Sequence, residues 1–147
     1  MKLEDKISPH FTFREMFKSE TADRTKINNI TFDSEILKNL TNLCNNILEP
    51  VRNHYGVPFT PSSVYRCLQL NRLIKSSDTS QHTKGQAADF ELVGIINQEL
   101  FEWCRYNLDF DQLILEFHTK DEPNSGWVHC SYVSSQLNRN DIQIFYK

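Results

Sequence analysis

The sequence lacks any apolar run approaching the roughly 20 residues that cross a bilayer, so no membrane insertion is expected. It also lacks an excess of positive charge. Its 16 lysines and arginines face 19 aspartates and glutamates, a formal charge of −3, which removes the electrostatic footprint of a nucleic-acid binder. The opening MKLEDKISPH has no apolar stretch of the kind a secretion signal carries. The expectation is therefore a chain synthesised in a cytoplasm without a signal peptide. Close cysteine pairs are missing as well. Cys44, Cys67, Cys104 and Cys130 form no CxxC, so neither a zinc finger nor a thioredoxin motif is indicated. They read as small buried hydrophobes; a disulfide between two of them stays open, though not favoured without export. No GxSxG elbow surrounds Ser80 or Ser131, which argues against a serine nucleophile. Repeats, low-complexity tracts and linkers are absent, so residues 1–147 are expected to form one domain with a real core.

What is present is periodicity. Thr12 with Glu15 three residues on reads as a capping box opening a short helix. Ile36, Leu40, Leu43, Ile47 and Val51 recur at helical spacing. They predict the main amphipathic helix over 34–55, capped by Asp33, kinked at Pro50 and stopped by Gly56. Residues 19–31 read as loop. SVYRCL predicts a strand at about 62–68, followed by a polar helix or loop over 69–79. In QAADFEL, Asp89 and Glu91 share one face of a strand while Ala88, Phe90 and Leu92 share the other. Asn97 is the expected cap of a second helix to about 107. DQLILEF, WVHCSYV and IQIFYK read as three short strands. The fold class is α+β, a mainly antiparallel sheet with flanking helices.

The stretch SQHTKGQAADF, residues 80–90, is unlike ordinary core or surface. His82 and Asp89 bracket a glycine and two small residues. Strand alternation puts Trp127, His129 and Ser131 on one face, and Gln112, Ile114 and Glu116 on one face of the neighbouring strand. If those faces line one cleft with Asp89, then His82, Asp89 and His129 form a set of metal-type ligands. Two imidazoles and a carboxylate suit zinc, and three protein ligands leave a fourth position for water. Gly85 lets the chain turn sharply between the first two. A bare His-x6-Asp pair is weak by itself: His82 could be a loop histidine, Asp89 a sheet-edge charge, and His129 a hydrogen-bonded core histidine.

The motif Ser-x-His-x-x-Gly-x-Ala-x-Asp is met in full by Ser80, His82, Gly85, Ala87 and Asp89, and Trp127-Val128-His129 supplies an aromatic next to a last histidine. On these residues the chain resembles the zinc D-alanyl-D-alanine carboxypeptidases and related peptidoglycan peptidases, which share their fold with the hedgehog signalling domain. SPHFTFREM, LEPVRNHYG, SVYRC and FDQLILEF extend the resemblance over nearly the whole chain. The resemblance implies one zinc ion held by His82, Asp89 and His129. It implies that Arg66, in VYRC, binds a substrate carboxylate or the developing oxyanion; on spacing alone Arg66 could equally be a surface arginine. Much of that family carries an acid or histidine three positions before the last ligand, where this chain has Gly126. Glu116 is the general base that the related branch suggests, with His118, expected on the same face, in reserve; either could instead be an edge or loop residue. Ser80 is read as shaping the ligand loop and touching substrate, and Trp127 as cleft wall or core aromatic.

The implied activity is zinc-dependent hydrolysis of peptidoglycan stem peptides, of D,D-carboxypeptidase or L-alanyl-D-glutamate endopeptidase type. The expected form is a monomer that acts on the cell wall after release, as a phage-type lytic enzyme or a virion component. A non-catalytic zinc-binding structural or wall-binding module is the alternative, and Gly126 keeps it open.

Overall fold

In a computed structural model that describes all 147 residues, a four-stranded sheet carries its core on one face and a polar cleft on the other. The N-terminus forms a small hairpin, β1 (Lys6–Ser8) and β2 (Phe11–Thr12). Short helices α1 (Phe13–Phe17) and α2 (Glu20–Thr25) follow. The capping box of Thr12 and Glu15 opens α1. Residues 19–31 are thus not all loop: Ser19 caps α2 by accepting from the Ala22 amide, a signal that a run of polar residues concealed.

The long apolar stripe builds one rod in three parts. Helix α3 (Ser34–Leu43), capped by Asp33, runs into a π turn at Cys44–Leu48 and on into α4 (Glu49–Tyr55). The kink expected at Pro50 is replaced by that wider turn. Pro50 has no amide hydrogen, and the Glu49 amide bonds back to the Cys44 carbonyl, so the ladder skips a residue instead of breaking. Gly56, in the left-handed region, ends α4.

SVYRC does not form the expected strand. Only Ser63 pairs with Asp89 as an isolated bridge. The Tyr65 amide bonds to Met16 and the Arg66 amide to His82, while Cys67 already caps α5 (Leu68–Leu73). The segment's hydrogen bonds go to three different elements, so no ladder extends. A single 3₁₀ turn at Gln81–Lys84 leads into β3 (Ala87–Phe90). Helix α6 (Asn97–Asn107) starts one residue earlier than expected. Ile96 holds the cap position, and Asn97 instead donates to Glu91, Asn124 and Gly126. Then come β4 (Gln112–His118), β5 (Trp127–Ser131) and β6 (Asp141–Tyr146).

The sheet order is β3-β5-β4-β6. The first two pairings are antiparallel, and β6 joins β4 in parallel. Ala88, Phe90, Leu113, Leu115, Val128 and Cys130 form the inner face. They pack into one cluster with Leu40, Leu43, Ile47 and Val51 of the rod and with Leu100, Phe101 and Cys104 of α6. All four cysteines are free thiols. Burial pushes the Cys44 thiol up to about 12. The outer face carries Asp89, His129, Ile114 and Glu116.

Candidate metal centre and active site

Register brings the outer-face residues together. Asp89 on β3 stands opposite His129 on β5, which stands opposite Ile114 on β4; Glu116 stands opposite Trp127. His82 comes from the 3₁₀ turn just before β3. Ser80 caps that turn, accepting from the His82 amide at 3.3 Å. Gly85 closes it with φ +72°, and a Cβ there would sit 3.0 Å from the Ile36 carbonyl oxygen and from Leu40. Only glycine lets the turn lie this close to α3.

His82, Asp89 and His129 each offer one ligand atom, and the three atoms lie within 4.8 Å of one another. His82 Nε2 is 3.3 Å from Asp89 Oδ2, and His129 Nδ1 is 2.8 Å from Asp89 Oδ1. Bonds of about 2.1 Å in a tetrahedral zinc site set ligand atoms about 3.4 Å apart, so the donor set fits that ion. His82 is 2% exposed, and its Nδ1 is 2.6 Å from the Val64 carbonyl oxygen. A carbonyl can only accept, so Nδ1 carries a proton and donates to Val64, which turns Nε2 toward Asp89. Burial pushes the Asp89 carboxyl up, but His82 and His129 outweigh it and hold the group well below the usual carboxylate range.

An open cleft of about 680 Å³ contains all three, together with Arg66, Glu116 and Trp127. The guanidinium of Arg66 has a buried Nε with no protein partner. Burial lowers its pKa and Asp89 raises it in part, yet a guanidinium stays charged. Burial raises the pKa of Glu116, His129 opposes that and Asp89 adds to it. Ser80 lines the cleft as well as capping the turn. Trp127 is a cleft wall, half-buried and stacked on Phe117.

His118 does not share the face of Glu116. Phe117 has φ +50°, and the β4–β6 register shifts between Leu115 and His118. This bulge turns Phe117 outward, 56% exposed, and sends His118 inward to 6%. There His118 Nδ1 meets Ser125 Oγ at 3.0 Å, away from the cleft. Strict alternation misses it because one left-handed residue reverses the order of faces.

Asp111, just before β4, is the residue that sequence reasoning passed over. Its side chain is 3% exposed and accepts from Gln81 Nε2 at 2.9 Å and from the Arg139 amide and guanidinium. Gln81 precedes His82, so Asp111 anchors the ligand turn to the start of β4. The Arg139 guanidinium beside it, with Gln81, holds its carboxyl below the usual range against burial. An aspartate at a strand's start looks like turn chemistry, and nothing local separates the two cases.

A family model described as Peptidase M15 matches residues 9–131, from before β2 to the end of β5. The chain belongs to the M15 peptidase family. M15 peptidases are zinc-dependent, and His82, Asp89 and His129 are a donor set that could hold that ion here. No curated protein matches the chain.

Proposed function

We propose that this M15 peptidase hydrolyses an amide bond in the stem peptides of bacterial peptidoglycan, with one zinc ion held by His82, Asp89 and His129. The observation that carries the reading is the convergence of two imidazoles and a carboxylate on an open cleft shared with Glu116 and Arg66. When bound, the ion would supply a Lewis acid to the scissile carbonyl and the attacking water.

Glu116 takes the proton of the attacking water and returns it to the leaving amine. Its raised pKa suits both transfers, since a carboxylate kept from solvent holds a proton more firmly. Arg66 offers its unpartnered donors to the substrate carboxylate or to the oxyanion that develops on the carbonyl. Val64 fixes the orientation of His82, and Ser80 with Asp111 and Gln81 fixes the turn that bears it.

Gly126 fits this assignment of the base. A Cβ at position 126 would lie 1.9 Å from the Glu116 carbonyl oxygen, and its φ is +77°. The position is closed to any side chain because β4 bulges against it, so a base must come from elsewhere. That supports a catalytic enzyme over a module that has lost turnover. The setting we propose, a phage-type wall-degrading enzyme, rests on the family resemblance alone.

Metal-stripped protein should be inactive on cross-linked peptidoglycan and recover on adding one equivalent of zinc. Glu116→Gln should lose about 100-fold or more in kcat while binding zinc as tightly. Product masses from defined muropeptides then tell loss of a terminal D-alanine from an internal cut. Full activity in Glu116→Gln would remove that residue as base. Zinc-loaded protein that leaves peptidoglycan intact would return the non-catalytic wall-binding module.

A further inference from the structure

A phenylalanine with φ +50° is an outlier, because a Cβ disfavours the left-handed region and an aromatic side chain gains nothing locally by entering it. Phe117 is also among the more exposed large apolar side chains, at 56%. By alternation from Leu113 and Leu115, both fully buried, its ring belongs in the core. The bulge lifts it out instead and lays it on Trp127, with ring centroids 5.2 Å apart and planes 17° from parallel. Two further features keep it there. Gly126 has no Cβ to collide with the Glu116 carbonyl, and His118 fills the inward position that Phe117 vacates. A strained backbone, a withdrawn side chain and an obligatory glycine all serve to present one flat aromatic pair to solvent.

That pair borders the cleft of the metal ligands, directly after Glu116. Across the sheet the register order is Ser63, Asp89, His129, Ile114. The triad therefore has a polar trough of about 450 Å³ on the Ser63 side, reached past Arg66. The aromatic pair lies on the β4 side. An apolar peptide side chain would want an enclosed pocket, which the exposed pair does not make. A pyranose ring suits it better. Its axial C–H bonds, slightly positive, lie against the negative π face, while its hydroxyl and acetamido groups stay in water.

We propose that Phe117 and Trp127 form a platform for an N-acetylated amino-sugar ring, so that this site takes glycan-bearing stem peptides and holds the sugar on the β4 side of the metal. This rests on the peptidoglycan reading above. Its test uses binding alone, so the two can fail separately.

Tri-N-acetylglucosamine is titrated into the full chain, with and without zinc, and followed by the indole N–H resonances, Trp103 serving as the internal reference. Saturable shifts at Trp127 are expected with or without the metal. Phe117→Ala should weaken binding at least 10-fold, and Phe117→Trp should retain it. Phe117→Gly removes the ring while relieving the left-handed backbone, so its loss of binding with an unchanged or higher Tm could not be blamed on misfolding. Absence of saccharide binding in the unsubstituted protein, or binding by the alanine and glycine forms as tight as that of the unsubstituted chain, overturns the platform even if peptide hydrolysis stands. Saccharide binding in a chain that never binds zinc would sustain the platform and overturn the peptidase reading.

Discussion

Glu49 and Asp89 are both sheltered carboxylates gripped by histidine, yet their surroundings differ in kind. Glu49, at the start of α4, accepts from Ser8 Oγ, the His10 amide and His10 Nδ1, each at 2.7 Å. Those donors clamp the β1–β2 hairpin to the helical rod, and a donor set that is already satisfied has nothing left for a ligand. Asp89 faces two imidazole nitrogens on the wall of an open cleft. One of those rings is turned, by a carbonyl behind it, so that its Nε2 points inward. A histidine–carboxylate contact is thus structural where donors meet acceptors one for one, and could hold a metal ion where ligand atoms converge on an open cleft.

The sharpest way to break the comparison is to remove the charge at Asp89. Asp89→Asn should abolish stoichiometric zinc binding and lower kcat/KM by about 1000-fold or more, since the proposed ion would supply the electrostatic part of catalysis. Metal analysis after dialysis and a peptidoglycan assay check both. Tight zinc binding by that variant would mean that Asp89 is not a ligand and only braces the two histidines, as Glu49 braces the hairpin.

Asp111→Asn probes an intermediate case, a carboxylate that is itself a clamp but holds the ligand turn through Gln81. Loss of such outer partners typically costs 10–100-fold in metal affinity. A fall of about 10-fold, measured by competition with a chelating dye, is expected while the stoichiometry stays at one. An unchanged affinity would show that Ser80 alone fixes the turn.

The same contrast explains what could be read from sequence. The rod was legible because Leu40, Leu43, Ile47 and Val51 obey one period, and the turn and strand bearing His82 and Asp89 because their motif is dense and local. The strand over SVYRC was misread because β-branched and aromatic residues report burial as well as pairing, and Val64 and Tyr65 are buried without a ladder. His118 and Phe117 were misplaced because a left-handed bulge leaves no trace in an alternating pattern. Glu49 and Asp111 went unremarked because their partners lie 41 and 30 residues away. The residues that could hold an ion lie in short, recognisable words; the residues that hold those words still do not.

The smallest effect expected is at Glu49. Glu49→Gln should bind zinc as the unsubstituted chain does, because its donors belong to the hairpin. It should lose about 2 kcal/mol of stability at neutral pH, the usual scale for hydrogen bonds to a charged acceptor. Burial pushes this carboxyl up, but His10 and Ser8 more than offset it and leave it below its ordinary 4.5. The unfolded chain therefore takes up the proton first as pH falls, so the contribution is complete above about pH 4.5 and drains away as pH drops through the lower folded value. Asp89 and Asp111 titrate in both proteins and cancel in the difference. Urea unfolding at pH 7 and pH 3 should thus show the gap between the two proteins shrinking on acidification. A gap that stays constant would mean the Glu49 charge stabilises nothing, and a change in zinc affinity would mean the two clusters are not independent.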